Sequence, residues 1–161
     1  VTAGVINGRI RFWRYVSGNW NGARAEEMYK DLAKDMAKAY PQHASKVGAT
    51  WSVIEDNDPT GYKSGKGMRA KASEGIVTDD LPRRSPDLNV LDYSLWALIN
   101  KKMRVQEAAF AENYIESEGQ FKARLRKTAL SMPASVVKKC VGDMQRRCRL
   151  IHLANGGLIV E

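Results

Sequence analysis

Ser85-Pro86-Asp87-Leu88-Asn89-Val90-Leu91-Asp92-Tyr93-Ser94-Leu95-Trp96 sets a carboxylate, Asp92, one turn inside a helix entered from a proline turn. Upstream, Trp51-Ser52-Val53-Ile54-Glu55-Asp56-Asn57-Asp58-Pro59 is a short β-branched and aromatic run that ends in acid just before a proline. That pattern predicts a buried strand whose last residue emerges at its carboxyl end. Open α/β sheets carry their chemistry at that end. Two carboxylates, one at a strand end and one in the first turn of a later helix, converge on divalent metal if strand and helix pack side by side.

Each carboxylate also has a local role. Asn89-Val90-Leu91-Asp92 has the form of a helix cap answered by an acid at the third position, and acids suit a helix N-terminus electrostatically. Asp56, before Asn57-Asp58-Pro59, suits a turn of the Asx kind. Taken alone, each local role is favoured. Glu55 is expected on the opposite face of the strand and Asp58 in the turn, so neither is given a catalytic role.

Together the two segments resemble the mariner superfamily of DNA transposases. In that family an Asp-Asn pair before a proline marks the second catalytic acid, and Ser-Pro-Asp-Leu followed four residues later by Asp or Glu marks the third. Asp56 and Asp92 fall on those positions. The resemblance extends through Ser131-Met132-Pro133 to Ala154-Asn155-Gly156-Gly157. The chain departs from the family pattern twice. Thirty-five residues separate Asp56 from Asp92, one more than in the pattern, and the earlier acids Glu26, Glu27, Asp31 and Asp35 lie on an amphipathic helix rather than at the centre of a first strand.

The resemblance implies an α/β, ribonuclease-H-like mixed sheet lacking its first strand, with a C-terminal helical extension. Residues 1–105 would form the partial catalytic core, and 106–161 the extension packed on the same domain. It implies metal-dependent phosphodiester cleavage and strand transfer in the intact protein, with Asp56 and Asp92 as catalytic residues holding Mg²⁺ or Mn²⁺, the two ions about 3.5–4 Å apart. The implied partner is double-stranded DNA, at transposon ends and target, handled by a homodimer of the intact protein. Lys63, Lys66, Arg83 and Arg84 flank the site as its DNA contacts. With the first acid absent, the chain by itself is expected to be inactive. Two other readings are a noncatalytic DNA-binding remnant or domesticated derivative, and another ribonuclease-H-like nuclease of the integrase type.

Composition fits these expectations. With 161 residues the chain is long enough for one sizeable core, and 43% apolar with 27% charged residues is ordinary for a globular protein. No apolar run approaches the ~20 residues of a membrane span. The net charge is +8, and residues 101–150 hold 12 Lys/Arg against 5 Asp/Glu, an asymmetry that suits a polyanion. A solvated basic helical face is the plainer reading of the same charge. Cys140 and Cys148 are read as core residues about 12 Å apart along one helix, too far to bridge, which implies a reducing compartment. His43 and His152 lack partners at zinc-finger spacing. No secretion signal is visible, so a nuclear location is expected in a eukaryote and a cytoplasmic one otherwise. The start at Val1 suggests a fragment or a processed chain.

Asn7-Gly8 between Val1–Ile6 and Arg9–Val16 is a hairpin signal, with Ile10, Phe12 and Arg14 on one face of the second strand and Arg9, Arg11, Trp13 and Tyr15 on the other. Ala25, Met28, Tyr29, Leu32, Met36 and Ala39 predict a helix closed by Pro41. Gly61-Tyr62-Lys63-Ser64-Gly65-Lys66-Gly67 lacks P-loop spacing and reads as a flexible basic loop before a short helix near 67–75. Ile76–Pro82 gives a weak strand signal, and Leu91, Leu95, Leu98, Ile99 and Met103 a helical stripe. Helices are expected at 118–130 and, as one piece, at 133–153. The last carries Val136, Cys140, Val141, Met144, Cys148 and Ile151 on its apolar side, with Lys138, Lys139, Arg146, Arg147 and Arg149 spread over the remainder.

Overall fold

The computed structural model describes the chain except Asn57, Arg83, Arg84, Leu158, Val160, Glu161 and the side chain of Asp80. It forms two compact units, one of residues 1–7 and 11–85, the other of 8–10 and 86–161.

Strands β1 (Thr2–Ile6) and β2 (Arg9–Arg14) pair across Asn7-Gly8. Both turn residues have positive φ, 52° and 65°, which is what a two-residue hairpin of matching twist requires. Ile10 and Phe12 are buried as the alternation predicts. Trp13, on the expected polar face, is buried as well, so β2 is covered on both sides there.

Helix α1 (Gly22–Ala39) starts three residues before the predicted stripe, because the Asn21 side chain accepts from the amides of Ala23 and Arg24. Its apolar face, Ala25, Met28, Tyr29, Leu32 and Met36, forms the core with Ile6, Phe12, Ala70 and Ile76. Pro41 ends α1 and opens the single turn α2 (Pro41–Ala44), where its missing N–H costs nothing.

Strand β3 (Trp51–Glu55) and β4 (Ile76–Asp80) run parallel, from Trp51 opposite Ile76 to Glu55 opposite Asp80, with α3 (Gly65–Ser73) between them in sequence. The weak strand signal at 76–82 is therefore a real partner for the strand before Asp56. β3 is not buried on both faces, however. Trp51 and Val53 pack against the core while Ile54 and, on β4, Val77 are 54% and 58% exposed. Among the described residues the strands form two separate two-stranded pairs rather than one continuous mixed sheet.

In the second unit, a 3₁₀ turn (Pro86–Leu88) and a π turn (Leu91–Leu95) lead into α4 (Trp96–Glu107), where Leu95, Ile99 and Met103 are buried. Helix α5 (Glu118–Leu130) spans the predicted residues and starts with a reciprocal Ser117–Gln120 capping box. The expected single closing helix is broken into α6 (Ala134–Gly142) and α7 (Met144–Leu153). The break resets the helical phase, so Val141 and Cys148 of the predicted stripe are exposed and Arg147 is buried. Cys140 and Cys148 thus lie on different helices, and only Cys140 is partly buried. No helix of the described residues is long and apolar enough to cross a membrane.

Candidate metal and nucleic-acid site

Asp56 follows the last residue of β3 at the carboxyl end of the parallel pair, where the Leu81 amide still donates to the Glu55 carbonyl at 3.1 Å. Its side chain is exposed, and its two acidic neighbours are otherwise engaged. Strand alternation turns Glu55 inward, to an ion pair with Lys71 and a 2.5 Å hydrogen bond from the Tyr29 hydroxyl. The Glu55 and Lys71 side chains are only 7% and 4% exposed, and Lys71 Nζ stands 5.2 Å from the Tyr29 ring centre. Asp58 sits in the turn, as expected, its Oδ2 accepting from Trp20 Nε1 and the Gly61 amide at 2.8 Å each.

These carboxylates set the electrostatics behind the strand end. Burial, then the Glu55 hydrogen bond and charge, with Asp56 adding, push the Tyr29 hydroxyl well above its ordinary value. Burial and the charges of Asp56, Glu55 and Asp58 push Tyr62 the same way. Both hydroxyls therefore keep their protons at neutral pH. At Asp58 partial burial works to raise the carboxyl, but hydrogen bonds from Gly61, Trp20 and Thr60 outweigh it and hold the group below its usual range.

The segment after Asp58 is a fastened turn and not the flexible loop expected from its glycines. Ser64 Oγ donates to the Gly61 carbonyl at 2.6 Å and accepts from the Gly67 amide at 3.1 Å, capping α3. A Cβ on Gly61 would stand 2.2 Å from Trp20 Nε1 and one on Gly67 2.4 Å from the Gly61 carbonyl, so these glycines permit close packing. Lys63 lies in this turn, its amide donating to the Asp58 carbonyl at 3.3 Å. Lys66 is exposed in the first turn of α3 and adds to the field that lowers Glu26, after that of Lys30. Arg83 and Arg84 lie outside the described residues.

Asp92 is in the second unit, exposed on the π turn, its amide donating to the Asn89 carbonyl at 2.9 Å. Asn89 caps the segment as read from sequence, its Oδ1 accepting from the Leu91 amide at 3.1 Å. Asp87 and Tyr93, on either side, face Arg147. The guanidinium carbon lies 4.2 Å from the Tyr93 ring centre, with Nη1 4.0 Å from Asp87 and Nε 3.0 Å from Asp143. The Tyr93 hydroxyl donates to the Cys140 carbonyl at 2.6 Å, and burial chiefly pushes it up to about 12.

Sequence reasoning missed Lys71, Trp20 and Arg147, and placed Tyr29 only as an apolar core residue. Carboxylates are suitable donors for a hard cation, and Asp56 and Asp92 are exposed ones. Among the described residues no group of three His, Cys, Asp or Glu side chains is gathered for a metal.

No protein-family model matches the chain. The transposable element Tcb1 transposase of Caenorhabditis briggsae is 25% identical over 136 residues, covering 84% of this chain and 45% of that protein, so the chain spans less than half of its curated relative. A crystal structure of the catalytic domain of Mos1 mariner transposase superimposes with a TM-score of 0.78 at 14% identity, covering 95% of this chain and 72% of that one. Mos1 catalytic domain bound to raltegravir with Mg gives 0.76 at 15% identity, covering 95% and 73%. The Mos1 paired-end complex with Mn gives 0.76 at 15% identity, covering 95% and 42%. The expected ribonuclease-H-like α/β class holds: the chain has the fold of the Mos1 mariner transposase catalytic domain and is similar in sequence to the Tcb1 transposase.

Proposed function

We propose that the chain is the larger part of a transposase catalytic domain that cleaves and joins DNA phosphodiesters in the intact protein, with Asp56 and Asp92 as carboxylate ligands for Mg²⁺ or Mn²⁺. The observation that carries this reading is the exposed Asp56 at the carboxyl end of a parallel strand pair, with Glu55 and Asp58 on either side committed to internal partners. The Mos1 structures holding Mg or Mn support the choice of ion. The Mos1 paired-end complex with left transposon end supports transposon-end DNA as a partner of the intact protein.

When bound, the ions supply Lewis acidity at the attacking and leaving oxygens of the phosphodiester. The residues of the chain would hold and orient. Asp56 and Asp92 bind through anionic oxygens that leave coordination positions for water and phosphate. Tyr29 and Tyr62 keep their protons near Asp56 and so add no negative charge to its surroundings. Lys63, in the turn after Asp58, and Lys66, in the first turn of α3, would meet the phosphate backbone together with Arg83 and Arg84.

The test is nicking of supercoiled plasmid with Mg²⁺ or Mn²⁺ by this chain and by the chain joined to an upstream strand carrying an Asp. Two carboxylates hold one hard cation, and a second ion beside it adds repulsion that a third acid offsets, so activity is expected only in the extended chain. There it should vanish in both Asp56→Ala and Asp92→Ala. Extended-chain activity that survives either substitution would refute the assignment.

A further inference from the structure

We infer that Arg147 is a positioning residue for Asp92, fastening the segment that carries it to the helix pair α6–α7. The inference rests on the proposed metal role of Asp92. In the sequence Arg147 is one cation of a basic surface suited to phosphates, but its residue is only 7% exposed and turns inward. A buried guanidinium is tolerated only when charge and hydrogen-bonding groups surround it. Two of the groups that meet it here, Asp87 and Tyr93, flank Asp92 in sequence. Asp87, in the 3₁₀ turn, stands 4.0 Å from Nη1, and Tyr93, the residue after Asp92, lies beneath the guanidinium at 4.2 Å. Asp143 anchors Nε at 3.0 Å from the junction of α6 and α7.

Tyr93 and Ser94 extend the attachment. The Tyr93 hydroxyl donates to the Cys140 carbonyl at 2.6 Å and Ser94 Oγ to Cys140 Sγ at 3.0 Å. The segment needs such support because it enters α4 through a 3₁₀ turn and a π turn, geometries that rarely persist on local hydrogen bonds alone. Arg147 thus holds the segment on both sides of Asp92 while leaving that carboxylate exposed.

The test is amide hydrogen exchange by NMR on the whole chain, with Mn²⁺ binding followed in parallel by electron paramagnetic resonance. The Asp92 and Tyr93 amides, which donate to the Asn89 carbonyl, should lose about tenfold or more protection in Arg147→Met, while amides of α1 and α5 keep theirs. Mn²⁺ affinity should fall with them. Parent-like protection at Asp92 and Tyr93 would overturn the inference, and so would a uniform loss that includes α1 and α5. If Arg147→Met does not fold, Asp87→Asn decides by the same readout: a local loss supports the anchor and no change overturns it. Asp92→Asn separates the two readings. Unchanged Mn²⁺ affinity in that variant would refute the metal role of Asp92, while the exchange data would still judge the fastening.

Discussion

Replacing Lys71 by Met removes the cation that faces a carboxylate with almost no access to water. The Glu55 and Lys71 side chains are 7% and 4% exposed, so the pair belongs with buried ion pairs and not with the weak surface kind. Met fills the aliphatic space of Lys and leaves Glu55 with the Tyr29 hydrogen bond alone. An orphaned buried charge of this type costs about 3–5 kcal/mol. For a chain of this size that is a fall in melting temperature of roughly 6–20 °C. Lys71→Met/Glu55→Gln should recover most of the loss, since Gln still offers Tyr29 a carbonyl oxygen and carries no charge. Thermal and urea unfolding followed by circular dichroism on the parent, both single variants and the double variant close the cycle. A single-variant cost under about 1 kcal/mol, or a double variant no more stable than Lys71→Met, would refute the reasoning, because either result means that water reaches the pair.

Asp58 should steepen the acid limb of stability. Its carboxyl is held below the ordinary range when folded, so its contribution is present above about pH 4 and is lost as pH falls through the lower folded value. The stability gap between parent and Asp58→Asn, read from urea midpoints, should therefore shrink on acidification, and a pH-independent gap would contradict this. Duplex DNA affinity should fall steeply between about 50 and 200 mM salt, with Lys63→Ala and Lys66→Ala each reducing the slope by about 1. A flat salt response, or no binding at low salt, would argue against a nucleic-acid partner.

The parts of the fold that depend on near neighbours in sequence were legible there. Asn7-Gly8 specifies its hairpin within two residues, and the stripe of α1 repeats over enough turns to define a buried face. The break at Gly142-Asp143 was hidden because the apolar spacing continues across it, and Asp143 is recognisable as an anchor only once Arg147 is seen to be buried. At the site, the strand end and the turn at Asp58 followed from alternation and from proline. The Lys71–Glu55–Tyr29 cluster did not. A lysine in a short basic helix reads as solvated, and its burial depends on partners 16 and 42 positions away that meet only in the tertiary fold. The proposed metal role of Asp56 and Asp92 rests on the family resemblance, since each has a sufficient local role of its own.

The half-bare parallel pair bears on how the chain behaves at high concentration. Parallel sheets are ordinarily sheathed on both faces, yet Ile54 and Val77 meet water beside a Ser52–Asp79 hydrogen bond on the outer face of β3 and β4. Open ladders and bare aliphatic groups invite neighbouring molecules to stack. A net charge of +8 keeps those molecules apart by repulsion at low ionic strength. Added salt screens that repulsion and leaves the apolar attraction in place. Colloidal stability is thus tied to the ionic strength of the buffer, with precipitation favoured on its high-salt side.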